Sequence, residues 1–126
     1  MKKNKKIIVF NWKMEPPSFR EVEKLCKQLS VLNPKSYILN SIIIAYEPLW
    51  AIGTGKTCAV EKALEMAKFI KSTLSFLNPI KVLYGGSVDS QNIMDFLNCP
   101  DIDGVLIGGA SVKVKEIKKI IKNLKH

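Results

Sequence analysis

Histidine and arginine are nearly missing from this chain: the only histidine is His126, its last residue, and the only arginine is Arg20. A histidine at a chain end is expected to fray rather than to catalyse. The three cysteines, Cys26, Cys58 and Cys99, are odd in number, far apart and without a C-x-x-C pair. That spacing excludes a disulfide framework and a zinc site, and points to reduced thiols with a structural role. Long apolar runs are lacking too. Behind the basic start at residues 1–6, the run 7–10 ends at Asn11, too short for a signal peptide, and no stretch approaches membrane-spanning length. A soluble, cytoplasmic protein without membrane contact is expected.

Positive charge is present in excess and is carried by lysine. The chain has 20 Lys or Arg against 11 Asp or Glu, a formal net charge of +9, with clusters at residues 2–6 and 113–125. No aromatic-interleaved basic stripe or nucleic-acid motif accompanies them, so they read as a solvated exterior, and no nucleic-acid partner is expected. With 126 residues and 47% hydrophobic content, one domain with one core is the ceiling.

Strand and helix patterns alternate four times without a linker or low-complexity segment. Residues 7–12 form the first strand, and Pro16-Pro17 ends it. Ser18 and Glu21 then have the spacing of a capping box, and Phe19, Val22, Leu25, Cys26, Leu29 and Leu32 fall on one helical face before Asn33-Pro34. The second unit is strand 42–46 and a helix lined by Val60, Ala63, Leu64, Ala67, Ile70 and Leu74. The third is strand 80–84, the turn Gly85-Gly86-Ser87 and a short helix carrying Ile93, Met94, Phe96 and Leu97. The fourth is strand 104–107, Gly108-Gly109 and a helix with Ile117, Ile120, Ile121 and Leu124 facing inward. This alternation calls for a parallel sheet covered by helices.

The densest chemistry lies in Ala45-Tyr46-Glu47-Pro48-Leu49-Trp50-Ala51-Ile52-Gly53-Thr54-Gly55-Lys56-Thr57. Pro48 stops a β-branched strand, which leaves Glu47 at its C-terminal end. Gly53 and Gly55 then give a hinged connection before the next helix, as in an active-site lid. Alone, Glu47 is more often an ion-paired or capping carboxylate, as most Glu residues at strand ends are, but Tyr46, Pro48, Leu49 and Trp50 supply the apolar surround that favours a proton acceptor. Asn11 and Lys13, two apart, share one face of the first strand, which by itself is more often an ordinary polar strand end. Gly-Lys-Thr at 55–57 resembles the end of a nucleotide phosphate loop, yet Trp50 stands where that motif needs glycine, and Cys58 breaks a dinucleotide fingerprint. No ATP, NAD, metal or other cofactor is expected. The turns at Gly85-Gly86-Ser87 and Gly108-Gly109 each join a strand to a helix, where backbone N–H groups can approach an anion.

The segment AYEPLWAIGTGKT resembles the catalytic strand and phosphate-closing loop of the triosephosphate isomerase family. Asn11-Trp12-Lys13, Tyr84-Gly85-Gly86-Ser87-Val88 and Asp103-Gly104-Val105-Leu106-Ile107-Gly108-Gly109-Ala110-Ser111 agree with that family in the same order. The resemblance implies an isomerase of glycolysis and gluconeogenesis that interconverts glyceraldehyde 3-phosphate and dihydroxyacetone phosphate. Glu47 is then the catalytic base, Asn11 and Lys13 line the substrate pocket with Lys13 neutralising charge, and Gly53, Ser87, Gly108 and Gly109 contact the substrate phosphate. A (β/α)8 barrel of this kind takes about 250 residues. The expected architecture is therefore α/β, half of such a barrel: four parallel strands, each followed by a helix, in a single domain 1–126. Residues 1–32 match the family's first unit, 41–126 its last three, and 33–40 form the junction. The family's electrophilic His and its subunit-interface loop fall between the first and second units, and nothing here replaces them. The alternative to an isomerase is thus an inactive remnant that binds phosphate or self-associates.

Four strands are too few to close a barrel. In the parent barrel the last strand pairs with the first, so the expected order is second, third, fourth, first unit. The edges would then lie roughly 15 Å apart at about 4.8 Å per strand, a gap that residues 33–41 can span, since they reach about 30 Å when extended. Two open edges and a bare apolar face lead to an expected homo-oligomer.

Overall fold

A computed structural model describes residues 9–13, 19–29, 42–48, 60–75 and 80–125. Four strands alternate with four helices in chain order. These are β1 (Val9–Lys13), α1 (Phe19–Leu29), β2 (Ile42–Glu47), α2 (Val60–Thr73), β3 (Ile80–Gly86), α3 (Ile93–Leu97), β4 (Gly104–Ile107) and α4 (Val114–Asn123). All adjacent strands pair in parallel. Four parallel strands, each followed by a helix, make a partial (β/α)8 barrel. The strand order is β1-β2-β3-β4.

That order corrects the expected one. Val9 pairs with Ile43 and Lys13 with Glu47, so the first strand lies against the second rather than beyond the fourth. The physical reason is the connection. A strand, one helix and the next parallel strand form the ordinary crossover between neighbours, whereas the expected order asks the same chain to cross the whole sheet at a greater loop-closure cost.

The core fills one face of the sheet. Ile42, Ile44, Ile80, Val82 and Tyr84 alternate with residues of the other face and are buried beneath the helices. Val22 and Cys26 of α1, Ala63, Met66, Ala67 and Ile70 of α2, Leu74 just beyond it, Ile93 and Phe96 of α3, Val88, Ile102, and Ile120 of α4 complete the cluster. The rings of Tyr84 and Phe96 stack, with centroids 4.2 Å apart and planes at 13°, which ties β3 to α3. Burial pushes the Cys26 thiol up to about 11, as a structural role requires. Asp103 pins the start of β4: its backbone N–H donates to the Val82 carbonyl at 2.9 Å. Its Oδ2 accepts the Val82 N–H at 2.9 Å and lies 2.8 Å from Lys71 Nζ of α2.

Two local expectations also change. Glycines 85 and 86 belong to β3, not to the turn after it. The expected fourth helix is α4, preceded by a 3-10 turn Gly109–Val112 that was not expected from the sequence. Of the residues expected to face inward from it, only Ile120 is buried, while Ile117, Ile121 and Leu124 are exposed. The cause is the strand order, because β4 is an edge and no first unit lies beyond it to cover α4. Among the described residues, no helix is long and apolar enough to cross a membrane.

Candidate active site

Glu47 is the last residue of β2, and buried Pro48 follows it. Its side chain lies over the neighbouring strand at Gly85. A Cβ at position 85 would overlap Glu47 Cγ and sit 2.8 Å from Oε1. Glycine at 85 is therefore what gives the carboxylate its place, a close approach of the kind glycine in a strand permits. Oε2 of Glu47 is buried and has no hydrogen-bond partner among the described residues. Buried carboxylate oxygens are normally paired, so this one keeps unused acceptor capacity at the C-terminal end of β2.

Strand β1 brings the other two expected polar residues alongside. Asn11 lies opposite Ala45 and Lys13 opposite Glu47 in the register, so these positions share Glu47's face. The altered strand order has a consequence here. Lys13 stands on the far edge from β4, three strand spacings or about 14 Å away, instead of beside the loop that follows β4.

One peptide beyond Gly85, the chain enters a cleft of about 590 Å³ lined by Gly86, Ser87, Val88, Asp89, Gly109, Ala110, Lys113 and Glu116. Two of the expected phosphate residues, Ser87 and Gly109, line it, and Gly108 adjoins it. Gly53 and the lid around it lie outside the described residues. A Cβ at Gly108 or Gly109 would meet nothing within 4 Å. Among the described residues, packing therefore does not demand glycine at either exposed position.

Electrostatics in the cleft are mixed but ordered. Lys113 supplies a cation. The carboxylate of Asp89 accepts backbone N–H groups of Gln91 at 2.8 Å and Asn92 at 3.2 Å. Glu116 accepts the Ser90 N–H at 3.0 Å and lies 3.7 Å from Lys119 Nζ. Its carboxyl is held below the usual range chiefly by the Ser90 hydrogen bond and further by Lys119. Lys113, Asp89 and Glu116 were not singled out in the sequence, although the Asp89-x-x-Asn92 spacing before a helix was a readable turn signal. Among the described residues, no three His, Cys, Asp or Glu side chains converge to hold a metal ion.

The family model described as triosephosphate isomerase matches residues 20–124. The triosephosphate isomerase of Mycoplasma mobile is 49% identical over 102 residues, covering 81% of this chain and 38% of the relative. That of Finegoldia magna is 43% identical over 99 residues, covering 74% of this chain and 39% of the relative. The enzyme of that name from Mesomycoplasma hyorhinis is 47% identical over 87 residues, covering 69% and 35%. The chain spans about two fifths of the length of these curated relatives. With a carboxylate seated on a strand glycine, a glycine-lined cleft one peptide away and a family match across most of its length, the chain belongs to the triosephosphate isomerase family.

Proposed function

We propose that residues 1–126 act as one domain carrying the base and the phosphate-holding part of a triosephosphate isomerase site in the cytoplasm, on the route of glycolysis and gluconeogenesis. Glyceraldehyde 3-phosphate and dihydroxyacetone phosphate are its substrates. Glu47 takes the proton from the carbon next to the carbonyl and returns it to the neighbouring carbon through an enediolate. Asn11 and Lys13 line the pocket, and Gly53, Ser87, Gly108 and Gly109 hold the phosphate. The observation that carries this reading is the buried Oε2 of Glu47, without a hydrogen-bond partner among the described residues, over Gly85 and one peptide from where the chain enters a glycine-lined cleft.

The chain by itself is a poor isomerase. Charge develops on the carbonyl oxygens, and a donor fixed at that point contributes roughly 10²- to 10³-fold in rate. The only histidine is His126 at the chain end, and Lys13 sits on the far strand from the cleft. The second reading, an inactive chain that keeps phosphate binding, rests on those two facts. A coupled assay on purified protein separates them. Isomerisation slightly above buffer that disappears in Glu47→Gln supports the first, and activity indifferent to Glu47→Gln contradicts it.

Self-association accompanies either reading. Strands β1 and β4 are the two edges of the sheet. Val9 and Phe10 on one, and Ile117, Ile121 and Leu124 beside the other, expose apolar surface that a lone domain seldom leaves bare. Analytical ultracentrifugation at micromolar concentration is expected to show dimers or larger species, and a sharp monomer would contradict this.

A further inference from the structure

The cleft is built from two loops that belong to different strands, and its shape depends on how they are held together. The loop after β3 is braced within itself. Asn92 donates from Nδ2 to the Ser87 carbonyl at 2.7 Å and accepts the Asp89 N–H on Oδ1 at 2.9 Å. Asp89 in turn accepts from Gln91 and Asn92. Residues 87–92 are therefore tied to one another by side-chain hydrogen bonds. What fixes that block to the loop after β4 is a pair of side chains from α4, both on Ser90. Glu116 accepts the Ser90 N–H at 3.0 Å, and Asn123 donates from Nδ2 to the Ser90 carbonyl at 2.8 Å.

We propose that Glu116 and Asn123 are positioning residues of this cleft: by holding both backbone groups of Ser90 they set Gly86–Ser87 against Gly109 and Lys113. The inference rests on the reading that the cleft takes a phosphate. Glu116 lines the cleft itself. A carboxylate there repels an anion, so its charge alone would weaken phosphate binding. The Ser90 N–H is what it serves. Helix α4 buries only Ile120 among its apolar residues, and these two hydrogen bonds tie it to the loop after β3.

The two accounts of Glu116 predict opposite signs. If it acted only through charge, Glu116→Ala would tighten phosphate binding. If it positions the loop, the same change weakens it. The test is titration of the full chain with inorganic phosphate, followed at the backbone amides of Ser87 and Gly109 by NMR. Glu116→Ala is expected to weaken binding about tenfold, the loss typical of one hydrogen bond to a charged group. Glu116→Gln, which keeps an acceptor for Ser90, restores it. Asn123→Ala, on the last turn of α4, gives a smaller loss in the same direction and serves as a second probe should Glu116→Ala fail to fold. Unchanged or tighter binding in Glu116→Ala, or in Asn123→Ala when it alone folds, overturns the inference, as does failure of Glu116→Gln to restore affinity. If the parent chain shows no response at Ser87 or Gly109, the phosphate reading itself falls and takes this inference with it.

Discussion

Helices α2 and α4 have the same kind of apolar stripe and opposite fates. On α2, Ala63, Met66, Ala67 and Ile70 are buried against the middle of the sheet, and Leu74 just past its end is buried with them. On α4 only Ile120 is buried, and Ile121 is 51% exposed. The stripe shows which face of a helix seeks cover, while strand order decides whether cover is there. Helix α2 is held by apolar burial. Helix α4 is held by Ile120 and by polar side chains reaching Ser90.

Truncation on each helix sharpens this contrast most strongly. Ile70→Ala is expected to lower unfolding free energy by about 2–5 kcal/mol through lost burial and the cavity left behind. Ile121→Ala should change the monomer by no more than about 0.5 kcal/mol, as a surface substitution does. Urea denaturation at low protein concentration measures both, and equal losses would mean that α4 is covered within a single chain.

Acid gives a smaller and more local effect. The folded carboxyl of Glu116 is held below its usual 4.5, so it stabilises the attachment of α4 above about that pH. The contribution is lost as pH falls through the depressed value. The protection factor of the Ser90 amide, taken relative to intrinsic exchange at each pH, should therefore fall below about pH 4.5, with those of Ile70 and Leu74 in and beside α2 unaffected. Acid protection at Ser90 unchanged through that range would contradict the role of the hydrogen bond.

Much of this was legible before the structure. Pro48 announced the end of β2 and so the place of Glu47, and the spacing of Val22 with Cys26 and of Ala67 with Ile70 named core positions in α1 and α2. The neighbour of β1 was not legible. Val9-Phe10-Asn11-Trp12-Lys13 can pair in parallel with either edge, because ladder hydrogen bonds are made by backbone and carry no address. The family resemblance pointed to the β4 side, and the short crossover through α1 favours β2. The exposed stripe of α4 was missed with it, since Ile117, Ile121 and Leu124 were expected to face inward. Gly85 was read as part of a turn, because the overlap of a Cβ there with Glu47 exists only once β2 and β3 are in register. The hold of Glu116 and Asn123 on Ser90 joins residues 26 and 33 positions apart, which no local pattern reveals.

The account stands on β1 lying beside β2, which puts Lys13 next to Glu47 and leaves β4 and α4 bare. Interstrand NOEs test this most directly, with isotope-labelled chains diluted in unlabelled ones so that only contacts within one chain are seen. The account predicts contacts from Phe10 and Asn11 to Ile44 and Ala45. Contacts from β1 to Val105 and Leu106 of β4 within the same chain would contradict it.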